Sequence, residues 1–132
     1  MSAMQRRKGA SGERELAGLL RERLGLEMTR NLDQCRVGGA DLLGLTGWSV
    51  EIKRAARLRI TEWWAQCCAQ AATDGKRPVL FYHLDRQPWR AVLALKHVAT
   101  GFPDAPLSLR LETDLNAFAA WMRKNMTIHS IN

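Results

Sequence analysis

The chain has 132 residues, and its 20 Lys and Arg outweigh 13 Asp and Glu for a net charge of +7. That length supports one domain over residues 1–132 with a real core, and the charge suits a polyanionic partner. No apolar run approaches the ~18–20 residues that span a bilayer, no apolar leader follows the basic N-terminus, and three cysteines at no metal or disulfide spacing point to a reduced protein of the cytoplasm, the host's if the chain is viral.

In chain order, a basic N-terminal arm over residues 1–8 carries Arg6, Arg7 and Lys8. From Lys8 the spacing of Leu16, Ala17, Leu20 and Leu24 predicts a helix that Gly25 stops. One step back along that stripe lands on Glu13, which directs a carboxylate along the buried side. Glu15 is better explained as a first-turn acid complementing the helix dipole. Arg30 and Arg36 then flank a loop in which Asn31, Gln34, Gly38 and Gly39 lead up to Asp41. Its glycines either let a nucleic-acid backbone come close or simply make a turn.

The segment Asp41–Lys53, DLLGLTGWSVEIK, reads as a hairpin with Leu45, Thr46 and Gly47 as its loop. Leu42 then pairs with Val50, and Asp41 with Glu51. Leu42, Trp48, Val50 and Ile52 share an apolar face; Asp41, Ser49, Glu51 and Lys53 share the other. Opposed carboxylates repel, so the polar face calls for a positive group, and a hard divalent cation with oxygen ligands answers that need.

Lys53, Arg54, Arg57 and Arg59 form a further basic cluster after the second strand. Thr61 is the expected N-cap of a helix running to Asp74, with a core stripe of Trp64, Cys67, Cys68, Ala71 and Ala72. Trp63, Gln66 and Gln70 lie on a neighbouring flank, where Trp63 either stacks on a base or packs. Pro78–His83 and Trp89–Ala94 read as strands around a turn with Pro88, and Leu107–Leu111 as an edge strand. Leu115, Phe118, Ala119 and Met122 mark a last helix whose face closes the core or meets a second copy. A loose tail is expected over 126–132. His83 and His97 stand apart from any ligand-like partner and read as structural or surface residues.

The succession KGASGEREL, RNLDQCRVGGADLLGL and VEIK resembles the archaeal-type Holliday junction resolvases of the PD-(D/E)xK nuclease superfamily, over roughly residues 6–83. Ala40 stands where the motif's name has proline. The resemblance implies an α/β, restriction-endonuclease-like core: a central mixed sheet flanked by helices. It also implies Glu13, Asp41 and Glu51 as ligands of Mg²⁺, which Mn²⁺ would replace, helped by the main-chain carbonyl of Ile52. Lys53 is then the catalytic lysine, positioning and helping to deprotonate the attacking water, and Gln70 (or Gln66) supports the site. Arg6, Arg7, Lys8, Arg30, Arg36, Arg54, Arg57 and Trp63 are expected to hold DNA, a four-way junction above all, with a homodimer supplying two cuts. Alternatives are a nuclease of the same superfamily acting on flaps, single strands or duplex, an RNA-cleaving enzyme, and a non-catalytic DNA-binding protein.

Overall fold

A computed structural model describes residues 3–31 and 41–131 of the chain. Its elements are α1 (Ala3–Leu24), β1 (Thr29–Arg30), β2 (Leu42–Leu43), β3 (Trp48–Ala55), α2 (Ile60–Asp74), β4 (Arg77–Leu84), β5 (Arg90–Ala94), a short α3 (Leu95–Val98), β6 (Arg110–Asp114) and α4 (Leu115–Ile131). The six strands form one sheet in chain order, β1-β2-β3-β4-β5-β6. Only β3 and β4 run parallel; every other pair is antiparallel. A parallel pair needs a crossover, and α2 supplies it.

Helices cover both faces, as expected of a mixed sheet whose strands are apolar on each side. On one face Leu16 and Leu20 of α1, Phe118 and Met122 of α4, and Leu42, Val50, Phe81 and Leu93 of the sheet form the larger core. On the other, Trp63, Trp64 and Cys67 of α2 cover Leu80, Tyr82, Val92 and Ala94. The last helix buries its anticipated stripe, with Phe118 edge-on to Phe81 at 4.9 Å between ring centroids. Gly75 stops α2 in the left-handed region, φ 67°, and Lys76 N–H returns to the Ala71 carbonyl at 2.9 Å. This is the αL-type ending that glycine favours.

Several boundaries differ from the sequence reading. Helix α1 begins at Ala3, so the supposed basic arm is helical; Gln, Arg and Lys are good helix formers and need no earlier break. Glu13 and Glu15 therefore sit mid-helix, and the dipole explanation of Glu15 fails. Helix α2 begins at Ile60, with Arg59 at the cap position and no side-chain capping bond, so Thr61 is inside the first turn. The edge strand starts at Arg110 rather than Leu107. The expected loose tail is instead the end of α4, helical to Ile131.

Candidate active site

Three short elements meet where the site forms: the middle of α1, the β2–β3 hairpin and the C-terminal half of β3. The hairpin has the expected register, Leu42 opposite Val50. Asp41 N–H donates to the Val50 carbonyl at 2.7 Å, and Trp48 N–H closes the turn onto the Leu45 carbonyl at 3.1 Å. Gly47 has φ 85°, the left-handed position predicted for it. Gly44 carries a stricter demand: at φ 120°, a Cβ there would lie 2.0 Å from the Glu27 carbonyl oxygen. The chain leaving α1 thus presses against the hairpin and fixes its height relative to the helix.

Asp41 is buried, and its Oδ2 accepts the Ile52 N–H at 2.6 Å. A carboxylate fastened to main chain in this way keeps its place whatever its neighbours do. Glu51 projects to the α2 side of the sheet, where Cys67 feels its charge. Lys53 follows on the same side, its Nζ 3.7 Å from Glu51 Oε1. Burial, then the charge of Asp41, push the Glu51 carboxyl up to about 7. Lys53 pulls it back and Glu13 adds a smaller push. Desolvation and like charge both penalise the ionised form, and one ammonium group does not cancel them.

Glu13 faces this cluster from α1, but its nearest partner is a cation: Arg30 Nε donates to Glu13 Oε2 at 2.8 Å. Among the described residues no three His, Cys, Asp or Glu stand close enough to cage a metal ion. The donor set is therefore two crowded hard-oxygen acids, with a third tied off beside them. That fits an open Mg²⁺-type site, which takes one or two carboxylates and completes its shell with water and phosphate. It does not fit a closed structural metal centre.

The remaining expected residues divide. Gln70 Nε2 donates to Asp74 Oδ1 at 2.9 Å, and Ser49 Oγ donates to Asp74 Oδ2 at 2.9 Å, so Gln70 is engaged at the start of β3; Gln66 is exposed. Trp63, expected to face DNA, is 6% exposed and packs on Tyr82 at 5.8 Å. It is core, because α2 lies flat enough on the sheet to bury two adjacent tryptophans. Arg54 is held against α1, donating to Ser11 Oγ at 3.4 Å and lying 3.8 Å from Glu15 Oε2. Arg57 is exposed. Arg6, Arg7 and Lys8 lie in the first turns of α1, and Arg36 falls outside the described residues with the rest of its loop.

Two supports escaped the sequence reading. Glu15 Oε1 accepts the Trp89 indole N–H at 2.9 Å, tying the site's helix to the β4–β5 turn. Nothing in the sequence links residues 74 positions apart. Asp74, which joins Ser49 to Gln70, did carry a signal, since Gln and Asp four apart on a helix commonly pair.

The acid-rich hairpin on a mixed sheet, with a lysine two residues beyond the second acid, follows the residue order that names the PD-(D/E)xK nucleases. The family model described as "Phage putative PDDEXK endonuclease" matches residues 4–129, and the chain belongs to that family of endonucleases. No curated protein matches it. Among solved structures it is similar to Hjc of Archaeoglobus fulgidus, a Holliday junction resolvase from an archaeal hyperthermophile. The identity is 18%, the match covers 84% of this chain and 87% of that one, and the TM-score is 0.49. Among the described residues, no helix is long and apolar enough to cross a membrane.

Proposed function

We propose that this endonuclease is a divalent-metal-dependent deoxyribonuclease that cuts branched DNA, four-way junctions first, as a homodimer. The observation that carries the reading is the crowding at Glu51. Its carboxyl is half-buried, repelled by Asp41 and Glu13 and pushed to about 7, with one ammonium 3.7 Å away. Such a group gains from a hard cation. Asp41 and Glu51 would hold Mg²⁺ or Mn²⁺, with the Ile52 carbonyl as a further oxygen donor and Glu13 joining once Arg30 releases it. Bound there, the ion supplies Lewis-acid stabilisation of charge developing on the phosphoryl group.

The chain's own residues do the rest. Lys53 Nζ, beside Glu51, donates to the attacking water or to a non-bridging phosphate oxygen and fixes the line of attack. Asp41 is held by a main-chain N–H and needs no rearrangement to serve. Arg57, together with Arg6, Arg7, Lys8 and Arg36, would draw the phosphate backbone toward the hairpin. Junction preference rests on the ordered motifs KGASGEREL, RNLDQCRVGGADLLGL and VEIK, which resemble those of junction resolvases. Symmetrical nicking requires two sites, and a two-fold dimer supplies them.

Cleavage of matched four-way junction, flap, duplex and single-stranded DNA, measured against Mg²⁺ concentration, tests this. Wild-type protein should need the ion and favour the junction. Glu51→Gln and Lys53→Ala should each lose at least about 10²-fold in cleavage rate, while Glu51→Gln binds the junction as well or more tightly. Wild-type rates from Glu51→Gln would remove Glu51 from the chemistry. Equal cutting of all four substrates would defeat the junction preference alone.

A further inference from the structure

The sheet register extends the lysine's row away from the hairpin. Lys53 of β3 is the partner of Tyr82 on β4, and Tyr82 is the partner of Arg90 on β5. Partners in register share a face, so all three project on the α2 side. Beyond Lys53, at the end of the row, opens a cleft of about 520 Å³ lined by Ala56, Tyr82, Asp85, Gln87 and Arg90 among others. Its size is that of a small-molecule site. We propose that this cleft is a second nucleotide-binding subsite, which grips the substrate strand on one side of the scissile phosphate; the inference rests on the nuclease reading above.

Three observations carry it. First, the spacing is right for one strand of nucleic acid. Two strand-to-strand steps separate Lys53 from Arg90, roughly 10 Å, about one to two nucleotides along a single strand, whose successive phosphates lie farther apart than the ~3.4 Å duplex rise. Second, the cleft offers donors to phosphate and sugar oxygens. Arg90 engages Glu112 through Nε and Nη2, each at 3.3 Å, which leaves Nη1 for another acceptor. Tyr82 gives its one proton to Glu112 and so steadies that acid rather than meeting the strand; burial and the carboxylate push its hydroxyl up to about 12. The exposed Arg57 and Arg86 are next in the chain to the lining residues Ala56 and Asp85. With Arg90 they set three positive charges against Asp85 and Glu112.

Third, Arg86 is the sole described non-glycine residue in the left-handed region, φ 63°. It occupies the tight β4–β5 turn, where Gln87 N–H returns to the Leu84 carbonyl at 3.0 Å. Glycine or asparagine would hold that conformation at lower cost. An arginine there costs some backbone strain, and such outliers cluster at active sites and ligand clamps.

Arg86→Gly and Arg86→Asn separate fold from function, because both relieve the backbone while removing the charge. Thermal melts and anisotropy of a fluorescent four-way junction in chelator, across a salt series, read the two effects. The melting temperature should hold or rise. Junction Kd should increase about three- to tenfold, and the slope of log Kobs against log salt should shrink by about 0.9. Arg86→Lys should restore most of the binding. Under Mg²⁺, KM for cleavage should rise with kcat unchanged. Arg90→Gln should weaken binding in the same direction. Unchanged Kd and KM in both Arg86 variants, with wild type cutting normally, would overturn the subsite and leave the nuclease reading standing. A wild-type protein that neither binds nor cuts DNA would overturn both.

Discussion

The two faces of β3 obey opposite rules. One face, Trp48, Val50 and Ile52, is dry and packs under α1 and α4; Val50 is fully buried. The other, Ser49, Glu51 and Lys53, lies on the α2 side, and its charge increases toward the strand's C-terminal end. Packing on the first face fixes the strand's height and register; the second face then spends that rigidity on holding like charges together. A site of this kind depends on the stability of residues that never touch substrate.

The sharpest way to break the comparison is a charge on the dry side. Val50→Asp should cost about 4 kcal/mol or more, because a carboxylate is buried without a partner. A urea melt should then show loss of the cooperative transition rather than a merely inactive fold. Next in size is Gly44→Ala, where a Cβ would meet the Glu27 carbonyl. About 3 kcal/mol of destabilisation is expected, with cleavage falling further than folding because Asp41 shifts with the hairpin.

The smallest effect has the opposite sign. A carboxyl held at about 7 in the fold, against 4.5 ordinarily, binds its proton more tightly folded than unfolded. It therefore favours folding below pH 4.5, and that contribution is lost as pH climbs from 4.5 through 7. In chelator at pH 8, Glu51→Gln should be more stable than wild type by about 1–3 kcal/mol. The advantage should vanish toward pH 4.5, and Mg²⁺ should narrow it by stabilising wild type. Equal melting temperatures at pH 8 would mean that the repulsion at Glu51 is already relieved within the chain.

Much of the polar face was legible because period-two alternation and a left-handed glycine together set the hairpin's register. That Asp41, Glu51 and Lys53 share a face follows from that register; the roles expected of them came from the resemblance. Glu13 was found from helical spacing, but its ion pair with Arg30 was not, since the two residues belong to elements whose packing no local pattern describes. Trp63, left between stacking on a base and packing, packs, and its place among the expected DNA contacts falls for a related reason. A helix lying across a sheet buries a wider arc than a single stripe, so a flank residue became core. The sequence reading placed no demand on Gly44; its necessity comes from the chain at Glu27, seventeen residues earlier. Pro78–His83 read as a strand, yet nothing in the sequence placed Tyr82 beside Lys53.

The bond from the Ile52 amide to the Asp41 carboxylate has a consequence for anyone redesigning this chain. Because the anchor is peptide rather than side chain, an exchange of residue type at position 52, short of proline, leaves its donor in place. Selectivity can therefore be re-engineered in the surrounding surface while this one acid stays where it is, and only a slip of the hairpin by one residue would carry it away.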